Sequence, residues 1–146
     1  MDIFERVKKL NFPIGEYAVF GSSLLDVWGI RKSNDLDIIA TPELFEHLRQ
    51  DDTWKDDSGD GYELLTKGEA DVTTIQNRST RNYNPDRIKL IKEAVIINGV
   101  PFVRIEEVIA CKKDYNRPKD WQDIASVERY MKEHEGQDLY NPSANF

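Results

Sequence analysis

Two acids one residue apart at the head of an apolar run, Asp35-Leu36-Asp37-Ile38-Ile39-Ala40, constrain this chain more than any other stretch. Side chains in a strand alternate between faces, so Asp35 and Asp37 share one face while Leu36 and Ile38 enter the core. Like charges side by side on a sheet are destabilising, and something positive should sit between them. A divalent cation meets that need. Magnesium in particular is held by one or two carboxylates together with substrate phosphates. Upstream, Tyr17 to Phe20 reads as a short buried strand that runs into Gly21-Ser22. Ser22 to Val27 reads as the first turns of a helix that Gly29 is placed to end. A glycine at that junction admits a phosphate to the backbone, and a helix N-terminus offers free N–H groups. One loop for phosphates and one strand for metal predict a nucleoside triphosphate site. The plainer alternative makes Ser22 a helix N-cap beside two exposed carboxylates.

A chain of 146 residues is one domain by length, expected over residues 1–135, with a tail from 136 to 146 that lacks periodicity. No apolar run approaches the roughly 20 residues that a membrane span needs. Met1 to Leu10 mixes charges with apolar residues and has no signal-peptide core. The single cysteine, Cys111, excludes an intrachain disulfide and a cysteine-cluster metal site, so the cytoplasm is the expected compartment. Net charge is −7, and the ten acids against three bases between Thr41 and Asp71 account for all of it. Wholesale electrostatic binding of nucleic acid is therefore not expected, because that affinity comes from neutralising phosphates.

Taken in order, the apolar spacing of Ile3, Phe4, Val7 and Leu10 predicts a helix capped by Asp2. Arg31 and Lys32 lie in the polar loop before the acidic strand, within reach of substrate phosphates. Thr41-Pro42 predicts a capped helix with Leu44, Phe45 and Leu48 inward and His47 facing solvent. The acidic run Asp51–Asp60 lacks calcium-loop spacing and reads as a solvated loop. Two strands, Tyr62–Thr66 and Ala70–Ile75, flank a Lys67-Gly68 turn, and the second places Glu69 and Asp71 on one face. Asn84-Pro85 predicts the start of a helix reaching Glu93. Residues 78–92 carry a net charge of +4, from Arg78, Arg81, Arg87, Lys89 and Lys92 against Asp86, which reads as an exposed helix face or as a docking patch for an anionic substrate or acidic protein. Asn98-Gly99 between two β-rich runs predicts a type I′ hairpin, with Pro101 placing the return strand at an edge. Helices are then expected from Glu106 through Lys112 and, with Trp121, Ile124, Val127 and Met131 inward, after the Asn116–Asp120 turn. Cys111 on an apolar helix face reads as packing.

Phe20-Gly21-Ser22 and Asp35-Leu36-Asp37-Ile38 together resemble the nucleotidyltransferase superfamily that includes DNA polymerase beta. The last third, with Val108–Lys112 and Arg117-Pro118-Lys119-Asp120 leading into Trp121–Ile124, is similar to the branch of small bacterial nucleotidyltransferases. That branch holds antibiotic-modifying enzymes and toxin–antitoxin components. The resemblance implies an α/β nucleotidyltransferase fold: a small mixed sheet with helices mainly on one face. It implies Mg²⁺-dependent transfer of a nucleoside monophosphate from a triphosphate such as ATP to an acceptor hydroxyl, with release of pyrophosphate. Asp35 and Asp37 would hold Mg²⁺, and a third carboxylate from a neighbouring strand, Asp71 or else Glu69, would complete the metal and catalytic site. Gly21, Ser22, Arg31, Lys112, Arg117 and Lys119 would bind the nucleotide. The acceptor (small molecule, protein or RNA) stays open. The alternative is a nucleotide-binding or toxin–antitoxin interaction module with little turnover that meets a protein through segment 78–92.

Overall fold

The computed structural model describes residues 1–74 and 82–141. Ile75, Arg78 and Arg81, and tail residues 142–146, lie outside the described residues. In chain order the elements are α1 (Ile3–Leu10), β1 (Tyr17–Phe20), α2 (Ser23–Val27), β2 (Leu36–Ala40), α3 (Pro42–Arg49), β3 (Lys55–Asp56) and β4 (Leu64–Lys67). They continue with β5 (Ala70–Thr73), α4 (Arg87–Lys92), β6 (Val95–Ile97), β7 (Val100–Phe102), α5 (Ile105–Tyr115) and α6 (Pro118–Glu133). The described strands form one mixed sheet in the order β3-β4-β5-β2-β1-β7-β6. β2 runs antiparallel to β1 and parallel to β5, so its two neighbours fix its register from both sides.

Alternation along the central strands separates two cores. Tyr17, Val19, Leu36, Ile38 and Val72 point into the larger one, where α1, α2, α3, α5 and α6 also bury residues. Ala18 and Ile39 point the other way, where Leu90 and Ile91 of α4 cover them together with Val103. The architecture is thus α/β, with a seven-stranded mixed sheet and most helices on one face. α4 covers only the Ala18–Ile39 end of the second face. The Phe20–Asp37 end, two residues along each strand, is where the cleft opens.

Local chemistry explains several elements directly. Thr41 caps α3 by accepting from the Leu44 amide at 3.3 Å, with Pro42 in the first turn. α2 ends in paired reverse bonds, Gly29 N–H to the Asp26 carbonyl and Ile30 N–H to the Leu25 carbonyl, which need the positive φ of Gly29. Asn98 and Gly99 take φ of 48° and 81° in the expected tight hairpin.

Four expectations are corrected. Lys55–Asp56 is a short edge strand inside the acidic run rather than loop, since Trp54 beside it is buried and anchors the segment. α4 is capped by Asp86, which accepts from the Ile88 and Lys89 amides, and not by Asn84. β7 lies inside the sheet, between β1 and β6. Pro101 is tolerated there because it faces Ile96 in a non-hydrogen-bonded pair, and pairing with β1 falls at Val19–Phe102, beyond it. Trp121 is 46% exposed, its indole N–H donating to Asn116 Oδ1. The buried stripe of α6 is Asp120, Asp123, Ile124 and Val127. Part of the tail is also fastened down: the Tyr140 hydroxyl accepts from the Ile105 amide, and its ring lies against Trp28.

Candidate active site

At the C-terminal end of β1 the chain turns through Gly21 with φ of 78°. A Cβ on that residue would sit on left-handed backbone and lie 3.1 Å from Asp37 Oδ2, so glycine is favoured both by the turn and by its close approach to the carboxylate. Asp37 pairs with Phe20 on one side and Asp71 on the other, and residues in register on neighbouring strands point to the same face. Asp35 precedes the strand and lines the same cleft as Asp37. Burial, then the negative charges of Asp71 and Asp35, raise the Asp37 carboxyl to about 6, against a smaller opposing pull from Lys112. Asp71 is raised as well, by burial and by Asp35 and Asp57. Among the described residues, none of these three carboxylates makes a hydrogen bond or ion pair. Nor is any group of three or more His, Cys, Asp or Glu side chains placed to hold a metal ion by itself. Glu69, the alternative third acid, sits in the β4–β5 turn, 65% exposed, with its carboxylate 3.6 Å from Arg6.

The opposite wall is cationic. Arg31 places two nitrogens 2.8 Å from the two Asp123 oxygens and a third contact, 2.8 Å, on Ser22 Oγ. Lys112, buried on α5, donates to the same Asp123 at 2.9 Å and to Ser22 Oγ at 3.2 Å. Ser22 makes no capping bond with its hydroxyl. Both cations are donors only, so they occupy the two lone pairs of Ser22 Oγ and leave its single O–H to point elsewhere. Burial opposes ionisation of Asp123, but the bonds and charges of Arg31 and Lys112 outweigh it and hold the carboxyl at about 2. Arg117 is engaged similarly: its guanidinium donates to both Asp120 oxygens and stacks on Tyr115 at 4.6 Å. Lys119 and Lys32 are exposed at the rim.

These walls enclose one cleft of about 710 Å³. Gly21, Ser22, Arg31, Asp35, Asp37, Lys112, Arg117 and Lys119 all line it. Asp71 is not a lining residue; it is the register partner of Asp37 on the next strand, β5. Phe20, Tyr83 and Tyr115 form an aromatic flank, with the Tyr83 hydroxyl donating to Glu107 at 2.7 Å. Cys111 lies in that flank, and burial pushes its thiol up to about 11, which leaves it a packing residue. The acids that organise the cationic wall, Asp120 and Asp123, fall in the C-terminal motif quoted from the sequence, which gives them no role in the site. Their i, i+3 spacing in line with Ile124 and Val127 was the available signal, because it places two carboxylates on a buried helix face. Of the basic segment, Lys89 and Lys92 are exposed and Arg87 is half-buried, while Arg78 and Arg81 lie outside the described residues.

A scan against protein-family models and a search of curated proteins both return no match. No helix among the described residues is long and apolar enough to cross a membrane.

Proposed function

We propose that this protein is a nucleotidyltransferase that moves a nucleoside monophosphate from a triphosphate to an acceptor hydroxyl, on a nucleotidyltransferase fold. The observation that carries the reading is the parallel register of Asp37 with Asp71, set against the Gly21 turn and across a cleft from Arg31 and Lys112. What supports Mg²⁺ is the chemistry of the donors: hard carboxylate oxygens of Asp35 and Asp37 that line the cleft without hydrogen-bond partners among the described residues, with coordination positions left for phosphates. Asp35, Asp37 and Asp71 would hold it, and when bound it would neutralise the charge that develops on the attacking and leaving oxygens.

Phosphoryl-type transfer asks mainly for positioning and charge neutralisation, and the chain's own residues divide that work. The Ser22 O–H, Arg31 and Lys112 receive the terminal phosphates, and the bare Gly21 backbone lets the chain of phosphates reach Asp37. An acceptor oxygen then bonds to the α-phosphorus as the bond to the bridging oxygen breaks. The acceptor's proton passes to the carboxylate wall, and pyrophosphate leaves on the cationic wall. The test is incubation with the four α-labelled triphosphates and Mg²⁺, alone and with cell extract. Label on an acceptor that is lost in Asp37→Asn supports transfer. Equal labelling by wild type and Asp37→Asn refutes it.

A further inference from the structure

Asp37 and Asp71 are fixed by the β2–β5 ladder, but Asp35 precedes β2 and has no ladder to hold it. Its backbone is tethered instead from α1. The Arg6 guanidinium donates to the Asn34 carbonyl at 2.7 Å, and the same nitrogen lies 3.6 Å from the Glu69 carboxylate. Asn34 is the residue before Asp35, and Glu69 stands two before Asp71. The β2–β5 pairing begins right after Asp35, where the Leu36 amide donates to the Glu69 carbonyl at 2.9 Å. Arg6 itself is only 20% exposed, on a helix anchored by Ile3 and Val7, and it does not line the cleft. Among the described residues, the other bond to Asp35's backbone outside the sheet is local: Ser33 Oγ donates to its carbonyl at 3.0 Å from two residues away.

We propose that Arg6 is a positioning residue for the carboxylate wall, holding together the loops that enter β2 and β5 and so setting where Asp35 stands relative to Asp37 and Asp71. A charge-assisted donor of fixed planar shape suits this task, because it engages a carbonyl and a carboxylate at once. The proposal rests on the three acids forming a metal site, as argued above.

Mn²⁺ with a non-hydrolysable nucleoside triphosphate serves as the probe, the dissociation constant of the bound ion being read by electron paramagnetic resonance for wild type, Arg6→Gln, Asp35→Asn and the double variant. Outer partners of metal ligands are worth about 10-fold or more in affinity; Arg6 stands one residue further out, on the Asn34 carbonyl, and a loss of up to about 10-fold is expected for Arg6→Gln. The double variant should bind no more weakly than Asp35→Asn alone, since Arg6 acts only through Asp35. Unchanged affinity in Arg6→Gln, or losses that add in the double variant, overturns the role. Should Arg6→Gln fail to fold, Arg6→Lys carries the test: one donor retained for the Asn34 carbonyl predicts a smaller loss, and none at all overturns the role. Mn²⁺ affinity unaltered in Asp37→Asn would refute the metal-site reading itself, a result separate from failure at Arg6.

Discussion

Asp123 sits 92 residues from Arg31 in sequence yet holds Arg31 and Lys112 on the same carboxylate, and Asp123→Asn tests what that junction contributes. Its carboxyl stands at about 2 against an ordinary 3.8, a difference of about 2 units. At about 1.4 kcal/mol per unit this is roughly 2.5 kcal/mol of stability at neutral pH. Asp123 and Lys112 side chains are each 9% exposed, so their part is little screened, whereas Arg31 at 43% is partly hydrated and its part is discounted. The expected loss on substitution is therefore about 2 kcal/mol, or roughly 4–8 °C in Tm for a chain of this size. Because the folded-state value is depressed, the contribution is complete above about pH 4 and fades as pH falls toward 2. Linkage leaves about a third of it at pH 2.5. Urea denaturation of wild type and Asp123→Asn at pH 7.5 and pH 2.5 measures both numbers. A difference of the same size at the two pH values, or none at pH 7.5, would refute the assignment of Asp123 as the charged centre of this wall.

Asp37→Asn should act in the opposite direction. Its folded-state value of about 6 lies above the ordinary 3.8, so folding is favoured below about pH 4 and that advantage is lost as pH rises through 6. In metal-free buffer at pH 7.5 the variant should be about 1–3 kcal/mol more stable than wild type and should converge with it near pH 4, as read by denaturant titration. Mg²⁺ with a nucleoside triphosphate should raise the Tm of wild type but not of Asp37→Asn, which differential scanning fluorimetry resolves. Gly21→Ala forces a Cβ into left-handed backbone beside Asp37 and should cost about 1–2 kcal/mol in stability, with loss of labelled transfer. The buried thiol of Cys111 should resist iodoacetamide at pH 8 in the folded protein and react in urea, and Cys111→Ala should keep transfer activity.

Where the deciding interactions lie within about one turn of chain, the sequence alone was sufficient. Thr41-Pro42 opening α3, Gly29 ending α2, Asn98-Gly99 turning the hairpin and the alternation of Asp37 with Leu36 and Ile38 are each settled by near neighbours. Segments governed by packing were legible only in part. Trp121 looks like core by composition but lies off the stripe set by Asp120, Ile124 and Val127, and Pro101 sits inside the sheet because its missing donor falls between two ladders. The pairing of Asp37 with Asp71 depends on a parallel register that no local rule supplies, since β3 and β4 intervene in the chain. The cationic wall is entirely a product of tertiary structure. Ser22, Arg31, Lys112 and Asp123 come from the residue before α2, a loop, α5 and α6, and burying Lys112 and Asp123 is tolerable only because packing brings opposite charges together. Local propensities act over three or four residues, whereas a buried ion cluster is fixed by which distant surfaces must exclude water together.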